Sequence, residues 1–244
     1  MQGTANQRGN VASLFVRELR ITTLLLWFIW CANSFCYYGL VLFTTVLFQS
    51  DDRCHGGGQF NETIFGECRQ LVQDDYFDLL STTLAEFPGL LITAATIEWF
   101  GRKKTMGIEF GVFSLFTFLL LFCLSRRTVT IFIFVARAFI SGAFQCAYVY
   151  TPEIYPTTLR AVGLGASSAM ARFGAITTPF VAQVAAGTSL YIPISVYGVA
   201  GLLGLVASLI LPIETKGRQM ANTEENKYGE KKNLENPMLI MFDV

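Results

Sequence analysis

Six apolar runs, at about 21–48, 78–97, 106–124, 129–150, 161–186 and 190–212, take up most of the 244 residues. A run of about 20 apolar residues is what a helix needs to cross a hydrocarbon core roughly 30 Å thick. Backbone amides find no water there, so such runs fold as helices. The alternation of roughly ten-residue strands that marks a membrane β-barrel is missing from the sequence. The expected fold is therefore an all-α polytopic membrane protein with six transmembrane helices. Charged residues form 15% of the chain, fewer than the roughly 25% of soluble domains. The first run is long enough to tilt or to break near Gly39, and Arg137 and Arg172 interrupt the fourth and fifth.

Charge sets the topology. Lys and Arg total 18 against 18 Asp and Glu, so the balance gives no sign of nucleic-acid binding. In a six-span arrangement Arg8, Arg17, Arg20, Arg102, Lys103, Lys104, Arg160, Lys216 and Arg218 fall on one side, and Arg53, Arg69, Arg126 and Arg127 on the other. The positive-inside rule then puts both termini in the cytoplasm. Residues 1–20 have no apolar core or cleavage site of a secretory leader and read as a cytoplasmic segment. Residues 21–214 form the helical region, with a luminal or extracellular loop at 49–76. Residues 215–244 read as a disordered cytoplasmic tail.

The 49–76 loop carries Asn61-Glu62-Thr63, an N-glycosylation acceptor at Asn61 if the loop faces the lumen. Cys54 and Cys68 lie in the same loop and are expected to pair in an oxidising lumen; two free thiols are the alternative. The single His55 cannot build a metal site, no metal or cofactor is expected, and no catalytic constellation of an enzyme is visible.

Ionisable groups within spans are costly and point to function. Asp78 stands at a span entrance, Glu86 in the second run, Arg137 in the fourth and Arg172 in the fifth. Glu86 precedes Pro88-Gly89, and proline there releases a backbone hydrogen bond, so the carboxylate sits beside a helix break. Broken helices near the midplane are where transporters build sites. Glu86 either lines such a site or pairs with Arg137 or Arg172 to neutralise charge. Tyr37, Tyr38 and Gly39 sit near the expected bend of the first run.

Three connectors carry the family resemblance. Pro152-Glu153-Ile154-Tyr155-Pro156-Thr157-Thr158-Leu159-Arg160-Ala161-Val162-Gly163 resembles the P-E-x-x-P-T-x-x-R-x-x-G loop of sugar- and organic-ion-type transporters of the major facilitator superfamily. Glu98-Trp99-Phe100-Gly101-Arg102-Lys103-Lys104 resembles the D-x-x-G-R-[RK] loop, with Glu for Asp, and with Ala94 where the longer motif has Gly. Pro212-Ile213-Glu214-Thr215-Lys216-Gly217-Arg218 resembles the P-E-T-K-G-R ending with Ile213 inserted. The segments 22–30 with Tyr37-Tyr38-Gly39, Glu86-Phe87-Pro88-Gly89, and Ala171-Arg172-Phe173-Gly174-Ala175-Ile176-Thr177-Thr178-Pro179-Phe180 look like the seventh, eighth and eleventh helices of synaptic vesicle 2-related proteins, particularly their SVOP-like branch.

The resemblance covers about residues 11–220 and implies the C-terminal six of twelve helices, so the chain is expected to be a fragment, a truncated product or an isoform. It implies secondary active transport of an organic solute, an organic ion, by alternating access. Tyr37, Tyr38, Glu86, Arg137 and Arg172 are the implied solute-binding residues, and Arg172 is implied to favour anions. Glu98, Gly101, Arg102, Lys103, Pro152, Glu153, Pro156, Thr157, Arg160, Gly163, Glu214, Lys216, Gly217 and Arg218 form the implied cytoplasmic gating motifs. The implied partners are the bilayer of a vesicle or the plasma membrane, a small solute, a coupling ion of unknown identity, and a six-helix half supplied by the missing N-terminal region or another chain. The rival readings are a non-transporting membrane binding or regulatory protein, and a half-transporter that modulates a full-length partner.

Overall fold

The computed structural model describes residues 10–49, 73–122, 125–185 and 189–217. A short 3-10 turn at Val11–Phe15 leads into α1 (Arg20–Gln49). Then come α2 (Gln73–Leu84), α3 (Glu86–Phe100), α4 (Arg102–Leu119), α5 (Arg126–Ile154) and α6 (Arg160–Pro179). A π-helical segment at Phe180–Ala185 extends α6, and α7 (Tyr191–Ile210) closes the described bundle. With α2 and α3 as one interrupted rod, six rods occupy the six apolar runs. Among the described residues four stretches are long and apolar enough to cross a membrane: Arg20–Leu47, Tyr76–Phe100, Arg127–Ile154 and Tyr191–Ile210. The other two rods, α4 and α6, bear Arg102, Lys103, Lys104 and Glu109, and Arg160 and Arg172.

The break in the second rod falls at Ala85, where the sequence placed it. Pro88 stands in the first turn of α3, where its missing N–H is one the helix leaves unpaired anyway. The break expected near Gly39 is not present. α1 runs unbroken through it, and a side chain at Gly39 would enter the ring of Tyr197 on α7. Glycine serves close helix approach at this position, not a break.

Helix α1 packs against α5, α6 and α7, and α5 in turn against α3 and α4. Helices α4 and α7 form the second extensive seam. Lipid tails are as apolar as leucine, so shape fit rather than water exclusion holds helices together in a bilayer. The α4–α7 seam shows this fit. Gly198, Gly201 and Gly204 recur every third residue along α7, and a side chain at any of them would strike Phe118, Phe113 or Phe110 of α4. Phe110 and Phe113 are fully buried there, as are Trp30, Tyr150 and Tyr197 elsewhere in the core.

Candidate functional site

Glu86 is the first residue of α3, so the break before it brings its carboxylate to the α1–α5 seam. Its Oε1 accepts hydrogen bonds from the Tyr37 hydroxyl at 2.8 Å and from Arg137 Nε at 3.3 Å. Arg137 Nη2 lies 3.2 Å from the same oxygen. All three donors converge on Oε1, leaving Oε2 with no donor among the described residues. The Arg137 side chain is 8% exposed and that of Glu86 31%, so the cation is held in the bundle and the anion stands at its edge.

The pair borders a recess of about 190 Å³ lined by Tyr37, Tyr38, Glu86, Ser141, Phe144 and Gln145. Ser141, Phe144 and Gln145 follow Arg137 on α5 at intervals of four, seven and eight residues, the spacing of one helix face. Tyr37 and Tyr38 meet edge to face at 5.2 Å, and Tyr37 meets Phe144 at 6.1 Å. Trp30 continues the aromatic strip, 5.7 Å from Phe144 and 4.5 Å from Tyr148. It donates through Nε1 to Thr151 Oγ1 at 3.0 Å. The recess is smaller than the roughly 300–1,000 Å³ of ordinary ligand pockets. It offers aromatic faces, a carboxylate oxygen and two amphipathic side chains.

Of the five expected solute residues, four come together here: Tyr37, Tyr38, Glu86 and Arg137. Arg172 does not join them. It is exposed on α6, near Phe173 and Ile176, which are 62% and 65% exposed, and it makes no ion pair among the described residues. The neutralising partner of Glu86 is Arg137.

The three connector motifs meet at one end of the bundle. Gly101 separates α3 from α4 with φ of 86°, a conformation that favours glycine, and a Cβ there would lie 2.9 Å from the Glu214 carboxylate. Glu214 Oε1 accepts from the backbone N–H groups of Arg102, Thr215 and Lys216 at 3.0, 3.1 and 3.4 Å. Arg102 reaches Glu153 with Nη2 at 2.8 Å. Lys216 Nζ donates to the Trp99 carbonyl at 2.8 Å, and Arg160 Nε to that of Pro152 at 2.8 Å. The Pro156 carbonyl accepts from the N–H groups of Leu159 and Arg160 as α6 begins. Gly163 leaves room for the ring of Tyr155, whose phenol burial pushes up, with its hydrogen bond to Thr23 opposing. The inserted Ile213 has a use: its carbonyl accepts from the buried Tyr150 hydroxyl at 2.6 Å.

Glu98 and Lys104 are exposed and Lys103 half-buried, outside this set of hydrogen bonds. Thr157 is exposed in the turn before α6, and Gly217 takes a positive φ of 74°. Asn61, Cys54, Cys68 and Arg218 lie outside the described residues.

Sequence reasoning missed Glu109, a carboxyl on α4 that is 1% exposed. Its signal was present: a lone acid inside an apolar run, the same signal that marked Glu86.

Residues 79–241 match the Major Facilitator Superfamily. Over 219 residues the chain is 68% identical to "Putative transporter svop-1" of Caenorhabditis elegans, a match covering 90% of this chain and 42% of that protein. It is 52% identical over 226 residues to synaptic vesicle 2-related protein of Xenopus laevis, covering 91% of this chain and 41% of that one. With "Putative transporter SVOPL" of Homo sapiens it shares 31% over 224 residues, covering 88% of this chain and 46% of that one. The chain thus spans about two-fifths of the length of the curated relatives it matches.

Proposed function

The chain belongs to the Major Facilitator Superfamily, and from that premise we propose that it supplies one six-helix wall of a secondary carrier for an organic ion. The observation that carries this reading is the Tyr37–Glu86–Arg137 cluster at the edge of an open recess. Carriers bind solute near the midplane, between two repeats, at discontinuous helices. The recess stands at such a discontinuity, before α3, and its small volume suits one wall of a site completed by a facing half. Solute enters against the tyrosine faces, and the Glu86–Arg137 pair presents a polar edge without a net charge. Arg172, exposed on α6, supplies the net charge that selects an anion.

The converging connectors then form the cytoplasmic latch of alternating access. Arg102, Glu153 and Glu214 hold the ends of α4, α5 and α7 together in one arrangement, and rocking of the halves requires these short contacts to exchange.

The test is uptake. Proteoliposomes bearing a twelve-helix relative that contains this half are expected to accumulate an organic anion from a panel of carboxylates and sulfonates. The purified 244-residue chain as a monomer is expected to take up none. Binding of panel members without accumulation by the twelve-helix protein would replace the carrier reading with a binding protein. Uptake by the short chain would show that it assembles a complete site by itself.

A further inference from the structure

Glu109 of α4 is buried against Thr93 of α3 and Gly142 of α5 and touches no cation among the described residues. Its Oε1 is in hydrogen-bond contact with Thr93 Oγ1 of α3, and its Oε2 has no hydrogen-bond partner among the described residues. Among the described residues no Lys or Arg forms an ion pair with it. Thr93 Oγ1 also lies 3.0 Å from the carbonyl oxygen of Gly89, one turn earlier in α3. A hydroxyl has one proton to donate. If Glu109 were a carboxylate, Thr93 would face two acceptors with that single proton. A proton on Glu109 Oε1 resolves the conflict: Glu109 donates to Thr93, and Thr93 donates to the Gly89 carbonyl. The same conclusion follows from burial, because an isolated carboxylate in an apolar interior neutralises itself rather than bear its desolvation.

The surroundings are built around a neutral acid. From α5, Gly142 gives the carboxyl its room, since a Cβ there would enter both Thr93 Oγ1 and Glu109 Oε1. From α5 the Cys146 thiol stands close enough to interact electrostatically with the carboxyl, and it donates to the Arg102 carbonyl at 3.1 Å. α7 packs on the other side of α4, with Leu205, Ser208 and Leu209 against Gly107 and Gly111, and none of these is titratable. α3 has no ionisable residue between Glu86 and Glu98. On α4 the nearest guanidinium, Arg102, is held by Glu153.

We propose that Glu109 is a proton-binding site of the bundle, a carboxylic acid at neutral pH whose ligand is the hydrogen ion. Loss of that proton would put an unpaired charge between α3, α4 and α5, so occupancy of the site holds these three helices in contact. The inference stands apart from solute transport and from the identity of any solute.

Infrared spectroscopy of the 244-residue chain in detergent tests it. At about pH 7, where an ordinary glutamate is ionised, the wild type is expected to show a protonated-carboxyl C=O band that Glu109→Gln lacks. Raising the pH should abolish that band in the wild type. A wild-type minus Glu109→Gln difference showing only carboxylate bands at that pH overturns the proposal. If Glu109→Gln fails to accumulate, Thr93→Val takes its place: it keeps the acid and removes its acceptor, so the carboxyl band should move to higher frequency. An unmoved or absent band in Thr93→Val counts equally against the site.

Discussion

Glu214 Oε1 lies 3.0 Å from the backbone nitrogen of Arg102, so a carboxylate arriving after α7 satisfies an N–H that opens α4, more than a hundred residues earlier. The first N–H groups of a helix have no partner within it, and a negative charge there also meets the favourable end of the helix dipole. Glu214→Ala is expected to lower stability by about 1 kcal/mol, the usual size of a lost N-terminal cap. Gly101→Ala should be worse, by about 1–3 kcal/mol, because it adds strain at positive φ and displaces the same carboxylate. Thermal unfolding in detergent checks both, and a Gly101→Ala protein as stable as wild type would refute this account of the junction.

The Glu86–Arg137 pair predicts a coupled loss. Removing Glu86 leaves a guanidinium whose side chain is 8% exposed without its anion; the 31% exposure of Glu86 puts the cost below the roughly 3–5 kcal/mol of breaking a fully buried pair from one side. Glu86→Ala should therefore be destabilising, while Glu86→Ala with Arg137→Ala should recover much of the loss. A double-mutant cycle on unfolding midpoints measures the coupling. Additive single effects would mean that the pair carries no interaction and that Arg137 is satisfied elsewhere.

Much of the architecture was legible in the sequence because the bilayer imposes a length on each helix. The break before α3 was legible from Pro88-Gly89, because proline has a fixed backbone consequence. The convergence of three connectors at one end was not readable from composition, since Arg102, Glu153 and Glu214 meet only through the packing of α4, α5 and α7. Nor was the choice of Arg137 over Arg172 as partner of Glu86, which depends on how the rods are rotated. The start of α4 was placed late because Arg102-Lys103-Lys104 reads as a loop by charge, yet all three are helical. The π-helical segment after Pro179 had only a proline to announce it. Gly39 misled as a sign of a break, because a glycine that admits a neighbouring ring has the same letter as one that interrupts a helix.

The expected 49–76 loop is shortened by α1, which reaches Gln49, and by α2, which starts at Gln73; its residues 50–72 lie outside the described ones and predict a covalent signature of topology. If it faces the lumen, Asn61 carries an N-glycan and Cys54 is bonded to Cys68. Enzymatic removal of glycans should increase gel mobility of the wild type and leave Asn61→Gln unchanged. Closing a loop of about 15 residues is worth about 3 kcal/mol in the chain-entropy model. Peptide mapping without reductant should recover the two cysteines in one linked species, and recovery of both as free thiols would refute the pairing. Labelling of a cysteine placed at position 61 from the cytoplasmic face of sealed vesicles would reverse the whole topology.

Arg172 predicts the sign of the solute. It is exposed on α6 and makes no ion pair among the described residues, whereas the other mid-span cation, Arg137, is already balanced by Glu86. A lone guanidinium at mid-span costs roughly 2.5–3.5 kcal/mol on insertion scales, so in the carrier proposed above it would face an anion or a polar cavity. Its planar fork suits the two oxygens of a carboxylate or sulfonate, which an ammonium does not match. In the twelve-helix protein, Arg172→Lys should keep anion preference while weakening apparent affinity about tenfold, the equivalent of one lost charge-assisted hydrogen bond of about 1.4 kcal/mol. Arg172→Asp should abolish anion uptake or shift preference to cations. Initial uptake rates of a carboxylate and of a quaternary amine, compared across the three proteins, decide the matter. Anion uptake unaffected by Arg172→Asp would remove this residue from the solute path and leave the selection of charge to the facing half.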